Sequence, residues 1–468
     1  MSKLSIEALR ERMQGRVVVP EDADYDEART VFNAMIDKRP ALVARCASTA
    51  DVVASVGFAR ELGLPVAVRS GGHSIAGWSV CEGGLLIDLR GLNKVVVDPT
   101  SKRARAGGGT LWGEFDEATQ AHALHTPGGR VTTTGIGGFT TGGGYGWTSS
   151  KYGLACDNLV SAEVVLADGS VVTASENEHA DLFWGIRGGG GNFGIVTEFE
   201  FRLHELGPMV LGGLAIWPIE SAPRILRAWR DYIEPAADEL STAAAIVTAP
   251  PEEFVPDQLR GQRVVGLVAL YVGDPAVGAG VVQPLKDLGP AVDLIQPMPY
   301  TAFQAFLDPL APKGFRGYFR GEYMNGLSDE AIDTFVAHAP ATAAAAAPLS
   351  QMIIFRIGQG VTAVPDEATA FSHRDAAYLF HPISAWAERR DDDRVIAANR
   401  AFAAAMRPFG TGAAYLNFTV ETDRVRDAFG ERKYERLVAL KNRYDPDNLF
   451  RLNQNIRPAR RRDEQAIA

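Results

Sequence analysis

Residues 127–146 read PGGRVTTTGIGGFTTGGGYG, and no other stretch of this chain restricts its fold so tightly. The run is almost free of charge and rich in glycine and threonine. Structureless loops beyond ~12–15 residues in compact domains are usually functional or disordered. The run also lacks the charge and the Ser/Gln/Glu/Pro bias of a disordered segment. It therefore reads as a loop held in place, with glycine N–H groups and threonine hydroxyls turned to something. The chain has 48 glycines, dense between Gly71 and Gly194 and sparse afterwards. That distribution suggests a first half whose backbone approaches a ligand closely.

Two more glycine runs accompany it. Arg69-Ser70-Gly71-Gly72-His73-Ser74 follows a short strand read at Leu64 to Arg69. Successive N–H groups freed by two glycines make a nest that binds phosphate without lysine. The plainer alternative is a turn with a hydrogen-bonded histidine. Gly189-Gly190-Gly191-Asn192-Phe193-Gly194 fits G-x-G-x-x-G letter for letter. The dinucleotide fingerprint needs a strand before and a helix after. Here Asp181 to Trp184 reads as helix and Ile195 to Phe201 as strand, so a Rossmann NAD site is rejected.

The rest of the chain supplies the frame. At 468 residues it exceeds the ~250–300 that one hydrophobic core can serve, so two or more lobes are expected. Ser48-Thr49-Ala50-Asp51 starts a helix that runs to Gly63. Val95 to Val97 with Arg103 to Ala106, and Ala162 to Ser175 around Asp168-Gly169, read as hairpins. Thr110 to Thr119 reads as a helix. Beyond Pro208, helices alternate with long strands such as Val264 to Val272 and Gln351 to Ile357. Tyr415 to Phe418 reads as a strand, and Tyr434 to Tyr444 as an amphipathic helix stopped at Asp445-Pro446. Ala341 to Ala347 reads as an exposed helix segment or linker.

Several classes are excluded. A net charge of −10 disfavours a nucleic-acid binder, and Arg460 to Arg462 read as a solvated tail. Cys46, Cys81 and Cys156 have neither metal-knuckle spacing nor an even count, which suits a reducing compartment. No metal site is expected from the histidines either. The N-terminus lacks the pattern of a signal peptide, and no ~18-residue apolar window suggests a membrane span. A cytoplasmic protein without membrane or nucleic-acid partners is the expectation, its oligomeric state left open.

Five segments, RSGGHSIAGWSV, the glycine–threonine run, KYGLACDN, DLFWGIRGGGGNFGIVTEFEFRL and YDPDNLFRLNQNI, together resemble the berberine-bridge-enzyme-like FAD-linked oxidases of the vanillyl-alcohol-oxidase and p-cresol-methylhydroxylase (PCMH) group. The resemblance runs from about Arg39 to Arg457, with the motifs in the family's order. It implies an α+β fold: a two-lobed PCMH-type FAD-binding domain over 1–206, a substrate domain with an antiparallel sheet backed by helices over 207–415, and a segment over 416–460 that completes the first domain. It also implies FAD bonded covalently through His73. The position of the cysteine that forms a second tether in many relatives falls on Val131, so one tether is expected, with Cys156 the less favoured exception.

The resemblance further assigns cofactor contacts to Arg69, Ser70, Gly71, Gly72, Ser74, Gly77, Thr134, Gly135, Gly137, Gly138, Thr141, Gly142, Gly143, Gly144, Asp157, Asn158, Gly191, Asn192, Gly194, Val196, Asn453 and Asn455. Thr134 matches a small residue that governs oxygen access. Tyr145 and Tyr415 are the candidate catalytic tyrosines. Phe418 stands where relatives commonly carry one, and strand alternation would put Tyr415 on the face opposite Phe418. Tyr318, Arg320, Tyr378, His381 and Phe418 are candidates for the substrate pocket. The implied activity is hydride removal from a small organic molecule (alcohol, sugar, amine or secondary metabolite), with reoxidation by O2 and release of H2O2. Oxidative cyclisation, or retention of FAD without catalysis, are the alternatives.

Overall fold

The computed structural model describes residues 3–339, 347–421 and 424–459. Arg460 to Arg462 and most of the alanine tract lie outside them. Three sheets surround one cavity. The first has four strands in the order Arg16–Val18, Leu42–Arg45, Leu85–Asp88, Val66–Arg69, the last three mutually parallel. Helix Thr49–Leu62 packs on it. Ser48 Oγ accepts the Asp51 N–H, and Gly63 ends the helix in the left-handed region at φ 62°. Parallel strands need a crossover between them, and this helix supplies the one from Leu42–Arg45 to Val66–Arg69.

The second sheet is antiparallel, in the order Val95–Asp98, Arg103–Gly107, Ile195–Arg202, Leu159–Val165, Val171–Ser175. Both hairpins read from the sequence are in it. The C-terminal helix Glu431–Tyr444 sends Leu437, Leu440 and Tyr444 into this sheet's core, beside Phe183 and Phe193.

The third sheet has ten strands, all pairings antiparallel, built between Met209 and Ala414. Helices Ala222–Ile233, Pro275–Lys286, Asp329–His338 and Asp392–Met406 cover one face. The other face looks to the glycine-rich lobe through Val268, Ile353, Phe355 and Leu379. Strand Tyr378–Trp386 is buried nearly throughout, since both faces are covered. The architecture is the expected α+β, two-domain one.

Two local readings change. The glycine–threonine run contains a helix, Ile136–Thr141. Its glycines contribute little propensity, so tertiary contact must hold it. Tyr415–Phe418 is not a strand: the strand Gly410–Ala414 stops short, and Leu416–Phe418 form a 3-10 turn. In that turn residues three apart share a side. Tyr415 and Phe418 therefore touch, with ring centroids 4.7 Å apart, instead of facing opposite ways. Among the described residues no helix is long and apolar enough to cross a membrane.

Candidate active site

The cavity where the three sheets meet has a volume of about 370 Å³, within the usual range for small-molecule sites. Two glycine-rich loops form its floor. A Cβ on Gly71 would lie 2.3 Å from the Gly135 amide nitrogen, and one on Gly135 would lie 2.0 Å from that of Gly71. The loops are thus packed backbone on backbone, which only glycine permits. Ser70 Oγ accepts the Gly137 N–H at 3.2 Å and fixes their register.

His73 projects from this junction. Its ring stacks on Phe32 at 4.2 Å, and its Nε2 lies 2.8 Å from Thr133 Oγ1. Burial lowers its pKa to about 4, so the imidazole is neutral at physiological pH. Neutrality is what a histidine needs to act as a nucleophile. Beside it the wall carries Ser70, Gly71, Gly72, Ser74, Thr134, Gly135, Gly137, Gly138, Thr141 and Gly142. Tyr145, Gly191, Gly194, Val196 and Asn453 join from other segments, and His381 and Phe418 from the substrate lobe.

The structure keeps other expected residues away from the cavity. Arg69 is fully buried and paired with Asp88 at 2.6 Å, so its cation tightens the strand ends behind the loop. Gly77 turns at φ 76°, and its carbonyl accepts Lys38 Nζ at 3.0 Å. Gly143 and Gly144 adopt φ of 108° and 87° in the turn behind Tyr145. Asp157 is paired with Arg374 at 2.6 Å. Asn158 donates to the carbonyls of Tyr152 and Leu154 and meets His204 through Oδ1. Asn192 spends its amide on the carbonyls of Gly189 and Gln454 and accepts the Ile456 N–H, riveting the C-terminal tail to the glycine run. Asn455 lies off the cavity wall. These seven shape the site from behind, and Asn455 does not reach it.

Tyr415 is also corrected. Its buried hydroxyl accepts the N–H groups of Gly144 and Tyr145 at 3.0 and 3.1 Å and a contact from Asn417 at 3.1 Å. Burial raises its pKa to about 12, and from off the cavity wall it braces the turn. In the substrate lobe, strand phase decides. Phe319 faces the cavity, whereas Tyr318 turns to Arg400 and Arg320 to Glu322 and Glu421. His381 faces the cavity, whereas Tyr378 points into the helix-covered core and donates to Glu234 at 3.1 Å.

Two titratable side chains on the wall can handle a proton. Tyr145 donates its hydroxyl to the Arg356 carbonyl at 2.5 Å, and burial raises its pKa. Its proton is already committed. His381 donates from Nδ1 to the Arg320 carbonyl at 2.5 Å, since a carbonyl can only accept. Nε2 is then the unprotonated nitrogen, and it has no hydrogen-bond partner among the described residues. Burial holds the ring's pKa down at about 3. Phe418 stacks on it at 4.0 Å and sets the plane of the ring.

Arg130 was missed as a site residue. It lines the cavity with its guanidinium over Phe355, Tyr145 and Trp147 at 3.7, 4.6 and 4.9 Å. A signal was available, because it is the single charged residue in the run 127–146.

The wall also shows what it lacks. Ser79 Oγ, Trp78 Nε1 and Asn453 Oδ1 line the cavity or its edge, are buried, and have no partner among the described residues. Native proteins rarely leave such atoms unpaired. A long polar ligand laid across the glycine floor would satisfy them, and FAD fits that description.

Fold and site together define an FAD-linked oxidoreductase. Residues 40–175 match the family model described as FAD binding domain, and 414–457 the one described as Berberine and berberine like. The chain belongs to the berberine-bridge-enzyme-like FAD-linked oxidases of the PCMH group. It is 31% identical to (R)-6-hydroxynicotine oxidase of Paenarthrobacter nicotinovorans over 95% of this chain and 97% of that protein. The crystal structure of 6-hydroxy-D-nicotine oxidase from Arthrobacter nicotinovorans is similar with a TM-score of 0.86, at 28% identity, covering 96% of this chain and 98% of that one. Glucooligosaccharide oxidase of Acremonium strictum shares the fold at 24% identity with a TM-score of 0.85, covering 98% and 100%.

Proposed function

We propose that this enzyme oxidises a small organic substrate at a C–H bond adjacent to O–H or N–H, using FAD tethered through His73 alone, with O2 as the terminal acceptor and H2O2 released. FAD bound there supplies the two-electron acceptor. The reading rests above all on one observation: the neutral imidazoles of His73 and His381 face the same glycine-floored cavity.

His73 is the tether. Its Nε2 is engaged by Thr133, and Nδ1 has no hydrogen-bond partner among the described residues, so Nδ1 is the nitrogen left to react. The Acremonium strictum oxidase is described with a 6-S-cysteinyl, 8α-N1-histidyl FAD. Here Val131 lines the cavity and none of the three cysteines does. Cys156 is buried, its thiol pKa pushed well up by desolvation, so it is a poor nucleophile. A single bond is the consequence.

His381 accepts the substrate proton at Nε2. Its low pKa makes it a modest base, but it stays free to accept across the neutral range. Phe418 and the Arg320 carbonyl hold the ring in that tautomer. Thr134 and the apolar wall (Ile353, Phe355, Ile383) exclude bulk water. Residues 1–206 and 416–460 form the cofactor domain and 207–415 the substrate domain in this reading. Phe450 and Asn453 on the cavity wall support counting the C-terminal segment with the first.

The test is acid precipitation of holoenzyme and a peptide map, followed by a panel of alcohols, sugars and cyclic amines assayed for peroxide. Yellow colour should stay with the His73 peptide only. A second labelled peptide carrying Cys156, or no peroxide from any reduced sample on admission of air, would overturn it.

A further inference from the structure

The cavity wall is electrostatically lopsided. No aspartate or glutamate lines it. Of the two arginines that do, Arg316 is neutralised by Asp392 at 2.5 Å. Arg130 has no ion pair and no hydrogen bond among the described residues, and its Nε is buried without a partner. Its plane is held over Phe355, which belongs to the substrate-lobe strand Gln351–Arg356, with Trp147 and Tyr145 beside it. Aromatic faces partly offset a cation but leave all its in-plane N–H groups unsatisfied. A half-buried guanidinium without a counter-ion is costly, and one kept in a ligand cavity points to the ligand as its partner.

We propose that the substrate carries a carboxylate, received by Arg130 in a two-pronged hydrogen-bonded pair. The rest of the molecule lies along the apolar wall of Phe355, Ile353 and Phe418 towards His381. The guanidinium fork matches a carboxylate in geometry as well as charge, which a neutral sugar hydroxyl or a cationic amine does not. Repulsion from Arg130 also depresses the basicity of His381, so a bound carboxylate would restore some of it. Anion binding and proton acceptance are thereby linked in one site. This inference deepens the oxidase reading and rests on it for the word substrate, but the carboxylate subsite is measurable by itself.

The experiment is calorimetric titration of the full-length holoenzyme with benzoate and phenylacetate against benzamide and phenylacetamide. Each acid should bind at least ten-fold tighter than its amide. Arg130→Met should erase that preference, and Arg130→Lys should keep part of it. Equal binding of acid and amide, or a preference that survives in Arg130→Met, would overturn the proposal. A visible spectrum that shifts in Arg130→Met with the acid preference intact would also overturn it, placing Arg130 at the flavin instead. If Arg130→Met does not fold, the acid–amide ratio of the wild type and of Arg130→Lys decides. Heat is read without relying on the flavin. A chain that lost its colour on acid precipitation yet preferred carboxylates would refute the tether and support the subsite.

Discussion

The Nε2 of His73 stands 2.8 Å from the hydroxyl of Thr133, a residue from the opposite glycine-rich loop. The contact fixes which ring nitrogen is free. Thr133→Val should slow covalent attachment of FAD roughly five-fold, from the loss of ~1 kcal/mol of hydrogen bonding. The check is the time course of acid-stable yellow protein when apo-enzyme is mixed with FAD. Attachment at the wild-type rate would remove Thr133 from the tether.

Gly138 and Gly191 line the cavity, and a Cβ on either would meet no protein atom within 4 Å. Gly138 lies inside a helix, where glycine costs ~1 kcal/mol against alanine. Gly138→Ala should therefore leave the apo-protein as stable or slightly more so while lowering its FAD content. Thermal melts of apo-protein and flavin-to-protein absorbance ratios give both numbers. Full flavin loading in Gly138→Ala would mean that no ligand packs on that helix.

Tyr415→Phe removes the acceptor for two buried N–H groups, those of Gly144 and Tyr145. An unsatisfied buried donor costs ~1–3 kcal/mol. The variant should melt several degrees lower, with KM raised and the tethered flavin retained. A tyrosine acting as the base would behave differently: kcat would collapse at unchanged Tm.

His381→Gln should cut kcat by roughly 10²–10³-fold, the usual scale for a lost proton acceptor. The pH dependence follows from the sign of the shift. The folded pKa is about 3, below the unfolded value of ~6.5. Between those values the unfolded chain binds the extra proton. This residue's stabilising contribution is complete above pH ~6.5 and is lost as pH falls towards 3. From pH 7 to 5 the wild type should lose ~2 kcal/mol more than His381→Gln. Its kcat should show no histidine limb between pH 5 and 8. Parallel pH–Tm curves for the two proteins would contradict the assignment.

Much of the cavity's glycine floor is legible in the sequence. Loops such as Ser70 to Ser74 and Thr134 to Gly142 are fixed by residue types that only a close backbone approach requires. The substrate wall was not legible. On Tyr378–Trp386 both faces are buried, so no polar–apolar alternation tells inward from outward, and Tyr378 and His381 land on opposite sides. Tyr318 and Arg320 were misplaced for the same reason, and Phe319 between them was overlooked. Arg130 escaped notice because its loop has no regular period from which a direction can be read.

By itself, the amino-acid order determined where backbone must come close to a ligand and which histidine stands there; the meaning of Val131 came only with the family resemblance. The first two follow from local chemistry: the missing Cβ of glycine and the imidazole. Which side chains meet across the cavity was decided only in three dimensions. His381 against Phe418, Arg130 over Phe355, and Tyr415 beneath Gly144 each join segments far apart in the chain, and the phase of a strand buried on both sides is set by its neighbours rather than by its own residues.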